Sequence, residues 1–268
     1  MSAANNKLGL ILGAVIILGG AGALFYFNQQ STQLDIGQIP PVEPDSEQSV
    51  VEVIPEADIP SPQLQSETPP ETPPLPKLDD SDALVRESAK EISQQVNFTH
   101  WLTTNDLLRR SAAYIDGVSR GTLLSSVFAL SAPQGKFTTH QSGEDIWLNA
   151  GNYERYDSTV RVITSANMTA VAKLFHTLRP LLTQAFAELG YSPRQMDGLV
   201  LQALDNIITT PVVIEPIRLT HESVVYKYAD PDLEALSSLQ KQLLRTGPEN
   251  TQRIQHQAKL LRQALLNP

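Results

Sequence analysis

The stretch NMTAVAKLFHTLRPLLTQAFAEL, residues 167–189, decides the fold predicted for this chain. Asn167 is suited to cap a helix, because its side-chain oxygen accepts a hydrogen bond from a free amide of the first turn. Apolar residues then recur every three or four positions, which predicts a buried helical stripe made of Val171, Leu174, Leu178, Leu181, Ala185 and Leu189. We expect Pro180 to kink this helix and Gly190 to end it.

A second helix signal follows directly. Ser192 and Gln195 have the spacing of a capping box, and Pro193 occupies the first helical position between them. The helix that they predict carries an apolar stripe of Met196, Leu199, Val200, Ala203, Leu204 and Ile207.

Towards the C-terminus, short strands and helices are predicted. Residues 217–219 and 224–228 alternate apolar and polar side chains, which is typical of a small β-hairpin. The Asp-Pro pair that opens residues 230–246 predicts a helix over that range. Gly247 and Pro248 then turn the chain into a last helix.

The folded domain is predicted to begin near Asp79, where the sequence DDSD is a helix start. A helix is expected from about Thr104 to Arg120, with two surface ion pairs at a spacing of four residues: Asp106 with Arg110 and Asp116 with Arg120. The adjacent Arg109 and Arg110 point to different helix faces. We expect one of them to form a buried ion pair with a carboxylate.

Residues 133–165 show no clear period. They mix small polar residues with scattered aromatic ones, and Val160, Val162 and Ile163 predict a short strand. An irregular segment of this length is unusual in a compact domain, and such segments often carry function.

The N-terminal region contains an uncharged apolar run of 20 residues, Leu8 to Phe27. As a helix it spans the hydrocarbon core of a bilayer, which is about 30 Å thick. Lys7 precedes the run and the next basic residue is Lys77, so the N-terminus is predicted to stay in the cytoplasm and the rest to be exported.

Two alternatives concern this run. The small-residue sequence ending at Ala23 fits a signal-peptidase site, but the apolar run continues to Phe27, which favours a permanent anchor over a cleaved signal. Gly9 and Gly13 form one GxxxG pair, a spacing through which two such helices can pack into a homodimer.

Residues 28–78 predict a disordered, acidic, proline-rich tether. They contain eleven prolines, nine acidic residues and one base, Lys77, so that they carry nearly all of the net charge of −9. Such a composition cannot bury enough apolar surface to fold. The remaining domain is almost neutral, which excludes a basic face for nucleic acid, and the absence of cysteine excludes disulfides and thiol chemistry.

Several motifs together resemble a bacterial family called domain of unknown function 3014 (DUF3014). They lie over residues 75–268 and read LDDSD from Leu78, NDLLRR from Asn105, NYERY from Asn152, RPLL from Arg179, ELGY from Glu188, YKYADP from Tyr226 and RTGPEN from Arg245. The resemblance implies a single membrane span, a proline-rich tether and an envelope location. It implies nothing about catalysis.

The chain offers little that predicts metal or cofactor chemistry. Its five histidines are at least 35 residues apart, so none forms a ligand pair. Asp230, Asp232 and Glu234 imitate the start of a calcium loop, but Ala235 stands where the loop needs glycine and Lys241 where it needs glutamate. We therefore expect no metal and no cofactor, and we name no catalytic residue.

Five residues form the candidate binding site: Trp147, Tyr153, Glu154, Arg155 and Tyr156. Aromatic rings beside an arginine suit binding of a protein or a sugar. Alternatively, Glu154 is the general acid of a peptidoglycan-active enzyme. The plainer interpretation is that the two tyrosines pack into the core while Glu154 and Arg155 form surface pairs.

The sequence thus predicts a mainly α-helical, single-pass protein of the bacterial inner membrane. Its parts are a short cytoplasmic N-terminus (1–7), a transmembrane helix (8–27), the tether (28–78) and a mostly helical periplasmic domain with a small β-hairpin (79–268). We expect this domain to be a binding or scaffolding module for an envelope protein or peptidoglycan, with the enzyme as the alternative.

Overall fold

The computed structural model of the chain describes residues 53–62, 74–93, 95–124, 133–221 and 225–268. The helices are α1 (Asp82–Ala89), α2 (Val96–Trp101), α3 (Leu107–Ser119), α4 (Asp157–Thr164), α5 (Met168–Glu188), α6 (Pro193–Ile208), α7 (Pro231–Glu234), α8 (Ser238–Arg245) and α9 (Pro248–Leu266). The strands are β1 (Thr139–Ser142), β2 (Asp145–Leu148), β3 (Arg218–Thr220) and β4 (Lys227–Tyr228), and two 3-10 helices cover Leu78–Asp80 and Ala150–Tyr156. The predicted mainly helical domain is confirmed.

Helices α3, α5, α6 and α9 build the main core. The predicted caps are present: the side chain of Asn167 accepts a hydrogen bond from the Ala170 amide at 3.0 Å, and Ser192 forms the capping box with Gln195. Helix α5 runs through Pro180, and Gly190 follows its end with φ of +92°. Leu189, which the stripe placed in the core, is 46 % exposed because it lies past the last turn.

The β region is larger than predicted. The hairpin predicted at 217–228 is confirmed as β3 and β4, but it belongs to an antiparallel sheet of four strands in the order β1-β2-β3-β4. Strands β1 and β2 lie in the segment that we expected to be irregular. The sequence THQS has no apolar alternation because no residue of β1 is buried on either face, and in DIWL the apolar Trp147 lies on the face opposite to Ile146 and Leu148.

The strand predicted at Val160, Val162 and Ile163 is wrong, since all three residues lie in α4. Their β-branched side chains favour a strand locally. However, Tyr156, Val160 and Ile163 are buried at a spacing of three to four residues, so packing of a helical face on the core outweighs the local preference.

The single helix predicted over 230–246 is divided into α7 and α8. The first segment ends at Glu234, and Ser237 caps the second: its hydroxyl accepts from the Gln240 amide, and the Gln240 side chain accepts from the Ser237 amide. This second capping box has the same serine-to-glutamine spacing as the one at Ser192.

The start of α3 depends on a distant carboxylate. Asp82 in α1 accepts hydrogen bonds from the amides of Asp106 and Leu107, at 2.9 and 2.8 Å, so it caps α3 from across the interface. Asp106 pairs with Arg109 at 3.3 Å instead of the predicted Arg110, whereas the predicted pair of Asp116 and Arg120 is present at 3.0 Å.

Arg109 is the arginine that forms the expected structural ion pair, although it does so at the surface. Its guanidinium contacts Asp79 at 2.7 Å and Glu188 at 2.6 Å. Hydrogen bonds from this guanidinium lower the pKa of Glu188, and the same bonds raise the pKa of Arg109. The beginning of the domain is thereby fastened to the end of α5.

The predicted tether needs a correction at residues 53–62. Rather than remaining a solvated spacer, these residues lie against α5 and α6, and Ile59 is buried in the main core. Although acidic and proline residues surround it, Ile59 supplies apolar surface that a groove of matching shape can bury.

Residues 74–78 are the other described part of the predicted tether. The remaining tether residues and the predicted transmembrane run at 8–27 lie outside the described residues. Within the described residues, no helix is long and apolar enough to cross a membrane.

Candidate functional site

The five predicted site residues do not converge. Trp147 lies on β2, half-buried, on the face of the sheet opposite to the core, where its strand neighbours are His140 and Arg218. Tyr156 is 5 % exposed and belongs to the main core, as the plainer interpretation predicts. Arg155 stacks over the ring of Tyr156 at 5.8 Å.

Tyr153 and Glu154 line a cleft of about 320 Å³ at the start of α9. The ring of Tyr153 rests on Gly247, and the exposed Glu154 shares the cleft with Asp157 and Glu249. A general acid is usually enclosed by protein, as in glycosidases with a raised carboxyl pKa. Glu154 is exposed to solvent and therefore lacks the enclosure that a general acid needs.

A different cleft has the character of a binding site. It has a volume of about 350 Å³ and lies between the inner face of the sheet and helices α7 and α8. We call it the aromatic cleft, and its lining consists of Phe137, Leu148, Leu219, Val225, Tyr226, Lys227, Tyr228, Glu234, Leu236, Ser238, Lys241 and Arg245. A mostly apolar lining with a few polar groups is typical of ligand sites.

Three apolar side chains at this cleft are left in contact with solvent. Phe137 is 42 %, Val225 44 % and Tyr226 37 % exposed. The ring of Tyr226 lies 5.7 Å from that of Phe137 and 4.7 Å from that of His221, so the rings form one cluster at the cleft. Clustered exposed aromatic residues mark interaction surfaces more strongly than scattered ones.

Hydrogen bonds position Glu234 within the aromatic cleft. Glu234 accepts hydrogen bonds from Lys241 at 2.7 Å and from the Tyr228 amide at 3.0 Å. Burial alone would raise the pKa of Glu234, but these two bonds together lower it. Burial also raises the pKa of the Tyr228 hydroxyl to about 12, so this group stays neutral.

Among the described residues that line the cleft, Lys227, Lys241 and Arg245 are basic and Glu234 is acidic. Glu234 pairs with Lys241 at 2.7 Å, whereas Arg245 donates to the neutral side chain of Gln242. The arrangement therefore favours a ligand with an apolar group and a negative charge that lies beside Arg245. In the described part of the chain, no cluster of three histidine or acidic side chains is placed to hold a metal ion.

The sequence prediction missed this cleft because its lining comes from separated segments. Phe137 precedes β1, Tyr226 precedes β4 and Arg245 ends α8. The signal that pointed towards it was the alternation of Tyr226 and Tyr228, which places both rings on one side of a strand. Nothing local in the sequence brings Phe137 to them.

The comparison with protein families matches residues 107–262 to the family described as Protein of unknown function (DUF3014). The match extends from the start of α3 into α9 and includes the sheet and all the lining residues of the aromatic cleft, within the range over which the resemblance was traced. No match to the chain was found among curated proteins or among solved structures. Because the family match covers more than half of its residues, this chain belongs to the DUF3014 family.

Proposed function

We propose that this protein is a membrane-anchored binding module of the bacterial envelope, and that the aromatic cleft holds a segment of a partner protein. The observation that carries the proposal is the cluster of exposed rings at the cleft, Phe137 with Tyr226. Rigid aromatic side chains that surround a pocket provide most of the binding energy in many protein interfaces.

A protein segment fits the cleft better than a sugar does. Sugar sites combine a flat ring with polar side chains that are still able to bind hydroxyl groups. In this cleft the ring planes of Phe137 and Tyr226 are tilted by 45°, and Ser238 already donates a hydrogen bond to the Gly121 carbonyl. An apolar side chain next to an acidic one would contact both the aromatic rings and Arg245.

The location rests on the sequence. The uncharged run Leu8 to Phe27 is long enough to span a bilayer, and Lys7 before it favours a cytoplasmic N-terminus. An anchor and a long acidic connection suit a module that reaches a partner away from the membrane. Peptidoglycan is the alternative partner.

Crosslinking in living cells tests the partner. We expect a photoreactive phenylalanine analogue at position 137 or 226 of the full chain to give a discrete protein adduct, whose crosslinked segment carries apolar and acidic residues. The same analogue at Leu260, which is 38 % exposed on α9, is the matched control and should give none. Adding Tyr226→Ser to the variant with the analogue at 137 should lower the adduct about fivefold or more, the effect of losing one interface anchor.

Three results would contradict the proposal. Equal adducts at 137 and 260 would mean that the cleft has no preferred partner. Sedimentation of the chain with peptidoglycan sacculi that Tyr226→Ser or Trp147→Ala abolishes would indicate glycan binding instead. Release of glycan fragments that Glu154→Gln removes without unfolding would establish the enzyme.

The absence of cysteine permits a clean test of topology. We expect a single cysteine introduced at the exposed Gln141 to react with a membrane-impermeant maleimide in cells whose outer membrane alone has been permeabilised. A single cysteine at Ser2, before the apolar run, should react only after the inner membrane is disrupted. The reverse pattern would place the domain in the cytoplasm.

A further inference from the structure

Residues 53–62, which we call the clasp segment, lie against α5 and α6 like a bound peptide. Along the segment the exposure alternates: Pro55 and Ala57 are half-buried, whereas Glu56 and Asp58 between them are exposed. Of its ten residues only Ile59 is buried, at 2 % exposure. An extended chain that turns alternate side chains towards a groove is the usual form of a peptide ligand.

The groove binds the main chain of the clasp segment. The Ile59 amide donates to Asp197 at 2.8 Å, and Arg179 donates to the Ile59 carbonyl at 2.6 Å. The Ala57 amide donates to the carbonyl of Arg194 at the start of α6, at 3.0 Å. Main-chain hydrogen bonds of this kind contribute affinity, and the pocket that buries the Ile59 side chain adds specificity.

Two further features fit the groove to an acidic, extended ligand. Gly198 faces the carbonyl of Pro55 so closely that a Cβ atom at this position would overlap it. The side chain of Arg194 lies 3.4 Å from both Glu56 and Asp58. The groove is therefore shaped for a backbone and carries a positive charge beside it.

We propose that the groove between α5 and α6 is a peptide-binding site, which the clasp segment occupies in cis as a releasable ligand. It accepts extended acidic peptides in which an isoleucine precedes a proline. The burial of Asp197 opposes the bound state: this carboxylate is fully buried when the segment is bound, and its Oδ1 atom then has no hydrogen-bond partner.

Together with the proposed anchor, the clasp segment sets the distance between the domain and the membrane. While it is bound, 25 residues separate Phe27 from Val53, which reach at most about 90 Å at roughly 3.6 Å per residue. After release, residues 28–73 separate the span from the domain, and the limit rises to about 165 Å. The peptide site itself does not depend on the aromatic cleft or on the location.

Binding in trans tests the proposal. A fluorescent peptide with the sequence VIPEADIPSP is added to the full chain in detergent, and its anisotropy is measured. In the Ile59→Ser variant the clasp segment no longer occupies the groove. We therefore expect this variant to bind the peptide at least tenfold more tightly than the wild type. The control is a peptide in which serine replaces the second isoleucine, the one equivalent to Ile59. This peptide should not bind.

The reverse outcomes overturn the proposal. Equal binding to both chains would mean that the groove is not a separate site. Unfolding of the Ile59→Ser variant would mean that the domain cannot fold unless the segment is in place. As a second measurement, the amides of Ala57 and Ile59 in the wild type should exchange with deuterium at least a hundredfold faster than those in the middle of α5, and equal rates would exclude release.

Discussion

Replacing Gly247 by alanine is expected to destabilise the fold by about 2–4 kcal/mol, the sum of backbone strain and overpacking. Gly247 stands between α8 and α9 with φ of +88° and ψ of 164°, a conformation that is essentially restricted to glycine. The ring of Tyr153 covers this turn, and a Cβ atom at position 247 would lie only 2.5 Å from its Cγ atom. Urea unfolding followed by tryptophan fluorescence measures the loss.

Two variants divide this effect into its parts. Gly190 also has a positive φ, +92°, but a Cβ atom there meets nothing within 4 Å, so Gly190→Ala reports backbone strain alone. Combining Gly247→Ala with Tyr153→Ala should recover the part that is due to the clash with the ring, while Cβ of residue 153 remains at 2.9 Å. If Gly247→Ala costs no more than Gly190→Ala, Tyr153 does not hold this turn.

The position of Gly247 also explains how far the sequence carried the prediction. Glycine followed by proline marked the start of α9 correctly, because both residues act on the local backbone. The same holds for the capping box at Ser192 and for Asn167. Each of these signals is local, so the sequence alone contains it.

What the sequence did not reveal depends on contacts between distant residues. Asp82 caps α3 from another helix, and Ile59 enters the core 138 positions away from its partner Asp197. The hairpin of β1 and β2 is stabilised by pairing with β3 rather than by its own weak pattern. The aromatic cleft was missed for this reason, whereas Tyr156 in the core was foreseen from its spacing to Tyr153.

The largest electrostatic effect is expected at the buried pair of Arg179 and Asp197. Asp197 has no exposed side-chain surface, and its charge is compensated by Arg179 and by the Ile59 amide. Removing one partner of a buried pair leaves an uncompensated charge, so Arg179→Leu should cost about 3 kcal/mol at pH 7. Asp197→Asn keeps the shape and the bond to Ile59, and it should cost about 1 kcal/mol, the net value of a hydrogen bond.

The pH dependence identifies the charge as the cause. Burial raises the pKa of Asp197 above its ordinary value, and loss of Arg179 should raise it further. A carboxyl group whose pKa is higher in the folded state adds stability below its unfolded pKa, and this contribution is lost as the pH rises through the folded pKa. The Arg179→Leu variant should therefore regain stability relative to the wild type as the pH falls from 7 towards about 4.

A double variant completes the argument. If the loss in Arg179→Leu comes from the unpaired charge, adding Asp197→Asn should restore more than half of it at pH 7 and remove the difference in pH dependence. If it comes from lost packing of the Arg179 side chain, which lies over the ring of Phe175 at 5.8 Å, the second substitution restores nothing. Urea unfolding of the four chains at pH 7 and pH 5 distinguishes the two causes, because only a charge responds to the change in pH.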